Sequence, residues 1–290
     1  MGTVQKEANP FKALVELEGL SNQSVFALYN EVERLKPSYR EEETQELFLF
    51  YHFINILAKA NVDCLLAGGI LMKMFFKEHA RHSRDIDVIA KDPEILFKQI
   101  EKAIAHTEGD ISFQIKWTKR KWASPVYFYD TFGFEVEAYH DGDLFKTFLL
   151  DGKVVEYYDQ IEKVKYIGPK IIAPDFYFYG VRIEYVACEK IMSISCELLR
   201  PIKHLVDVYT LRFVDLDYSL LKKYLRRCLE KENKVRDSLG MPRQEERYGI
   251  TEGKLFIGNF YLCSISAGYR LTKKEMAKAV NDWCEEKLGE

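Results

Sequence analysis

The stretch that most constrains this chain is residues 63–89, DCLLAGGILMKMFFKEHARHSRDIDVI. An apolar run, Cys64 to Ala67, ends at Gly68-Gly69, and a second, Ile70 to Phe76, follows. A basic turn, Lys77 to Arg84, then leads into Asp85-Ile86-Asp87-Val88-Ile89. The pattern predicts strand, glycine turn, helix, basic loop and strand. Period two puts Asp85 and Asp87 on one side of the second strand and Ile86 and Val88 on the other. Two carboxylates on one face repel each other unless a cation sits between them. The glycines let backbone N–H groups approach a phosphate at the mouth of the following helix. A phosphate cradle beside a carboxylate pair describes a nucleotide site.

Gly68-Gly69 followed by Arg81-His82-Ser83-Arg84-Asp85-Ile86-Asp87 resembles the signature of the AbiEii/AbiGii-type toxin nucleotidyltransferases, within the DNA polymerase β-like superfamily. That family has Thr or Ser after the glycines, where this chain has Ile70. Cys188-Glu189-Lys190 resembles the family's A-x-K motif, whose lysine meets nucleotide phosphates. Arg200 to Tyr209 resembles its R-x-K-D-x-x-D-x-Y segment. There Asp207 is expected to orient Lys190 or the metal site, although Lys203 and Asp207 at i, i+4 also suit a plain helix pair. His204 replaces the usual first aspartate, and one extra residue follows Arg200.

The resemblance implies an α+β fold, a mixed-sheet polymerase β-like nucleotidyltransferase domain followed by a helical bundle. It also implies a third carboxylate on a neighbouring strand. Glu135 and Glu137 share a face of one strand, so period two does not choose between them; Glu137 is taken for the role. The implied site is Asp85, Asp87 and Glu137 for Mg²⁺ or Mn²⁺, Gly68, Gly69, Ser83, Arg84 and Lys190 for the NTP, and Lys190 and Asp207 in catalysis. The expected reaction moves a nucleoside monophosphate to an acceptor hydroxyl, tRNA or another RNA, with a cognate antitoxin as partner. A transferase acting on a small molecule such as an aminoglycoside, or a silent nucleotide-binding module, are the alternatives.

The rest of the chain bounds these readings. With 42 basic and 45 acidic residues the net charge is −3, so nucleic-acid contacts must come from local patches. Two are candidates: Trp117 to Trp122, which mixes cations with aromatics, and Lys222 to Arg227, a basic helical face. Six scattered cysteines without a C-x-x-C pair read as reduced thiols. No signal-peptide pattern and no apolar run of the ~20 residues a bilayer needs is present, so a cytoplasmic location without a membrane span is expected.

Periodicity predicts helices at 11–18, 22–35, 41–60 and 92–106, then strands at 111–115, 126–129 and 134–139 with a turn at 130–133. Residues 150–185 read as irregular with short strands near 154 and 181–185. Helices are expected at 186–199, 203–213, 217–232, 255–267 and 272–287, with a loop at 236–248. The domains are then 1–180, N-terminal helices plus the nucleotidyltransferase domain, and 181–290, the helical bundle.

Overall fold

The computed structural model describes residues 41–76, 80–106, 109–118, 130–155, 158–170, 172–196, 199–250, 255–257, 271 and 273–289. The helices expected before residue 40, the strand at 126–129 and most of the helix at 255–267 lie outside them. The described part divides into two compact units. One takes in residues up to 78, 83–122 and 131–180; the other takes in 79–82, 123–130 and 181–290.

The first unit is a seven-stranded mixed sheet backed by helices. Helix α1 (Glu41–Lys59) leads to β1 (Leu65–Ala67), α2 (Gly68–Phe76) and β2 (Asp85–Ala90). Helix α3 (Pro93–Ile104) follows, capped by Asp92, whose carboxylate accepts the N–H groups of Glu94 and Ile95 at 2.8 and 3.0 Å. Pro93 in the first turn suits that start, since its missing N–H has no helical partner to lose. Then come β3 (Ile111–Trp117), β4 (Asp130–His140), β5 (Asp143–Val154), β6 (Val164–Ile167) and β7 (Tyr177–Gly180). The strands lie in the order β3-β4-β5-β2-β1-β7-β6. Strand β2 runs parallel to β5 and antiparallel to β1, and β1 runs parallel to β7.

Aromatic side chains fill the space between α1 and the sheet. Phe50 and Phe53 meet Phe148 edge-on, and Phe53 also meets Phe113, with centroids 5.0–5.6 Å apart. Such pairs add to the area they bury. Ile86, Val88 and Leu150 are also buried, so the even-numbered side of β2 is core. That leaves the side bearing Asp85 and Asp87 for chemistry.

The second unit is largely helical. It comprises α4 (Ile183–Cys196), β8 (Leu199–Pro201), α5 (Ile202–Leu211), α6 (Tyr218–Ser238), β9 (Leu255–Ile257) and α7 (Lys273–Leu288). Leu221, Leu225 and Leu229 recur at i, i+4 along α6 and are buried, as an amphipathic helix requires. Asp217 caps α6 through the Leu220 N–H at 3.0 Å.

Five sequence expectations need correction. The turn joining the long strands is Asp141-Gly142, while residues 130–133 belong to β4. Asp141 takes φ 51° and Gly142 φ 88°, the left-handed pair a two-residue hairpin demands. Residues 143–154, partly read as irregular, are a full strand. The expected strand at 181–185 is instead the start of α4, because the strand ends at Gly180. Leu255–Ile257 form a strand parallel to β8, and α6 runs six residues beyond 232, to Ser238.

Candidate functional site

Two clusters carry the residues singled out above, one in each unit. In the first unit, Asp85 and Asp87 are half-buried on β2, on either side of the buried Ile86 and with the buried Val88 following. Gly68 takes φ 61°, and a Cβ there would lie 1.7 Å from Asp87 Oδ2. Glycine, with no Cβ, is the residue type that fits both conditions. The N–H of Gly69 donates to the same Oδ2 at 3.1 Å, so the first turn of α2 directs its positive end at a carboxylate. Ser83, 4% exposed, donates its hydroxyl to Asp85 Oδ1 at 3.1 Å or to the Asp85 carbonyl at 3.3 Å. Ser83 thereby fixes a carboxylate, while Arg84 is exposed. Ile70, where the signature has a hydroxyl, is 1% exposed and packs into the core.

The register of β2 and β5 adds a residue that the sequence reading missed. Asp85 pairs with Leu149 and Asp87 with Asp151, so Asp151 stands beside Asp87 on the same face. The offset is one strand spacing, ~4.8 Å. Gly133 leaves the neighbouring space open: a Cβ there would lie 3.3 Å from Asp151 Oδ1 and 3.1 Å from Thr118 Cγ2.

Glu137 is placed differently. It lies on β4, and β5 separates that strand from β2. Lys116, on β3 two residues beyond the register partner Gln114, donates to its Oε1, and Tyr139 donates to its Oε2 at 2.7 Å. The Lys116 bond first, and the Tyr139 bond second, hold its carboxyl below the usual range. Glu135, on the same strand, pairs in register with Lys116. Neither glutamate is on the strand next to Asp85 and Asp87.

In the second unit, Asp207 is the centre. Arg81 grips it from two nitrogens, Nε to Oδ1 at 2.9 Å and Nη2 to Oδ2 at 3.1 Å. Its third nitrogen donates to the His82 carbonyl at 2.9 Å. Lys190 Nζ lies 3.8 Å from Oδ2, and His204 Nδ1 lies 3.6 Å from the same oxygen. Asp207, Lys190 and His204 are all buried. Burial alone would raise the Asp207 carboxyl, but Arg81 above all holds it far below the ordinary carboxylate range.

Burial also pushes His204 down to about 3, with the Lys190 charge adding to the fall, so the imidazole is neutral at pH 7. Its Nδ1 makes no hydrogen bond, since 3.6 Å is beyond hydrogen-bond length. Arg81 and Lys190 thus share the one Asp207 carboxylate. The alternative pairing of Asp207 with Lys203 is replaced by Arg81, which the sequence reading quoted but gave no role.

Asp85, Asp87 and Asp151 supply hard oxygen donors, the kind Mg²⁺ and Mn²⁺ take. Among the described residues, no group of three or more His, Cys, Asp or Glu side chains already converges as an ion cage. Asp87 is instead turned toward the Gly69 amide. Among the described residues, no helix is long and apolar enough to cross a membrane.

The profile of the family described as "Nucleotidyl transferase AbiEii toxin, Type IV TA system" matches residues 55–282. Among solved structures, MenT4, a nucleotidyltransferase toxin of Mycobacterium tuberculosis H37Rv, is similar with a TM-score of 0.59 and 13% identity, covering 94% of this chain and 87% of its own. JHP933 of Helicobacter pylori aligns at 13% identity with a TM-score of 0.45, covering 86% of this chain and 96% of its own. No curated protein sequence matches.

Proposed function

Because the chain belongs to the AbiEii family of nucleotidyl transferase toxins of type IV toxin–antitoxin systems, we propose that it transfers a nucleoside monophosphate from an NTP to a hydroxyl of RNA, with tRNA as the first candidate. The observation that carries this reading is the register of β2 and β5, which gathers Asp85, Asp87 and Asp151 on one sheet face beside the Gly68-Gly69 turn.

In this proposal Asp85, Asp87 and Asp151 hold Mg²⁺ or Mn²⁺, and Asp151 takes the third position in place of Glu137. The bound ion supplies charge neutralisation and polarisation of the α-phosphate. The acceptor oxygen attacks the α-phosphorus, its bond to the bridging oxygen breaks, and pyrophosphate leaves. A carboxylate beside the acceptor takes the hydroxyl proton. Ser83 keeps Asp85 in one orientation, and the Gly68-Gly69 turn offers N–H groups to phosphate oxygens once Asp87 turns to the ion. Lys190, Arg81 and Asp207 form an anion-attracting set for the triphosphate, with Asp207 positioning both cations. The domains are proposed as 1–180 and 181–290, and a cognate antitoxin protein as the partner.

The test incubates the full chain with each α-labelled NTP, Mg²⁺, and tRNA, total RNA, total protein or an aminoglycoside. Label on RNA with wild type and none with Asp87→Asn supports the proposal. Label on protein or aminoglycoside alone moves the acceptor elsewhere, and NTP binding without transfer to any acceptor overturns it.

A further inference from the structure

The face that carries the three carboxylates continues onto β7 and β6. Leu66 pairs with both Val88 and Gly180, so these residues point to the core side together with Phe178. Asp87, Tyr177 and Tyr179 therefore point to the opposite side. The register of β6 adds two more residues there, since Lys165 pairs with Tyr179 and Ile167 with Tyr177. All four are exposed: Ile167 81%, Tyr179 47%, Tyr177 36%, and Lys165 in the exposed class. The burial alternation of β7, exposed at the tyrosines and buried between them, agrees.

Resting on the transferase reading above, we propose that this surface is the acceptor platform: a single-stranded RNA end stacks an unpaired base on Tyr179 and Tyr177 while Lys165 meets its phosphate. Three features favour that occupant. Exposed aromatics interleaved with a cation suit single strands, whose bases present free ring faces, while a duplex hides them. Lys165 Nζ sits 3.7 Å from the centre of the Tyr177 ring, so the charge is held at the stacking surface. Distance also fits. Tyr179 lies two strands from β2 and two residues down from the Asp87 level, so the two Cα atoms are ~12 Å apart. A terminal hydroxyl at the carboxylates and a base stacked on Tyr179 then belong to one short piece of RNA.

The basic helical face is less suited. Lys222 is engaged by the Gly289 carbonyl at 3.0 Å and Arg226 by Glu246 at 2.8 Å. Of the other basic stretch, residues 119–122 lie outside the described part, and Trp117 stacks on Phe97 at 5.4 Å.

Fluorescence anisotropy with a labelled ten-nucleotide cytidine RNA tests the platform on the full chain. Tyr177→Ala/Tyr179→Ala should weaken binding about ten- to hundredfold. Tyr177→Phe/Tyr179→Phe, which keeps the rings, should bind like wild type. Lys165→Met should lower the slope of log affinity against log salt by about 0.7. NTP binding should stay unchanged in all three. RNA affinity that ignores the alanine pair, equal loss in the phenylalanine pair, or a wild type that binds no RNA overturns the platform. If the tyrosines govern RNA binding but no NTP ever labels RNA, the platform stands and the transferase reading falls.

Discussion

The two charged clusters are built on opposite plans. On β2 and β5, three carboxylates of one sign share a sheet face, and a hydroxyl and an amide donor hold Asp85 and Asp87. Around Asp207, opposite charges are buried against each other, with a two-pronged arginine grip. Like charges gathered on one face make a surface that gains when a further cation arrives. Opposite charges closed together make a support that loses when one member leaves. The same residue type, aspartate, is thus expected to serve activity in one cluster and stability as well in the other.

Asp85→Asn/Asp87→Asn should break the comparison most sharply if it fails. Transfer should fall at least about a thousandfold, ~4 kcal/mol in barrier, with the melting temperature equal to or above that of wild type. Loss of folding there would mean the carboxylates are structural after all. Asp207→Ala comes next: stranding Arg81 and Lys190 should cost ~3–5 kcal/mol in unfolding free energy, read by urea titration. Unchanged stability would make the second cluster a surface-like pair.

Acid should separate the clusters more gently. His204 titrates near 3 in the folded protein, below its unfolded value of about 6.5. Between those values the unfolded chain binds more protons, so stability falls as pH drops below about 6.5. Asp207, held low, adds a further loss as pH falls below its unfolded value of about 4. His52, half-buried in the first unit and lowered to about 4 chiefly by desolvation, contributes a parallel slope from outside either cluster. Replacing His204 with Gln should flatten, but not abolish, the pH dependence of the urea midpoint between 4 and 6.5. An unaltered profile would place His52 alone behind it.

These contrasts also show what was legible in the sequence. Gly68-Gly69 and Asp85-Ile86-Asp87 were, because turn chemistry and period two are local properties. Lys190 and Asp207 were found by resemblance, and the structure joins them in one buried cluster. Asp151 was not legible. Parallel pairing joins strands from distant parts of the chain, and nothing in Phe148-Leu149-Leu150-Asp151 says which strand will lie beside it. Glu137 drew attention for the opposite reason: its alternation is plain, but alternation gives a face and not a place in the strand order. Arg81 belonged to the quoted signature, yet a partner more than a hundred residues away has no mark in sequence.

The strand order carries a consequence for how the protein comes into being. Strand β1 pairs with β2 soon after it in the chain and with β7 far beyond, and β2 waits for β5. Pairings between distant segments form slowly, because loop closure precedes any gain from contact. On a translating ribosome the Gly68-Gly69 turn and the first two aspartates emerge well before the strand that brings Asp151. An incomplete chain therefore lacks Asp151, and the three-carboxylate face is complete only once the middle strands have been made and docked.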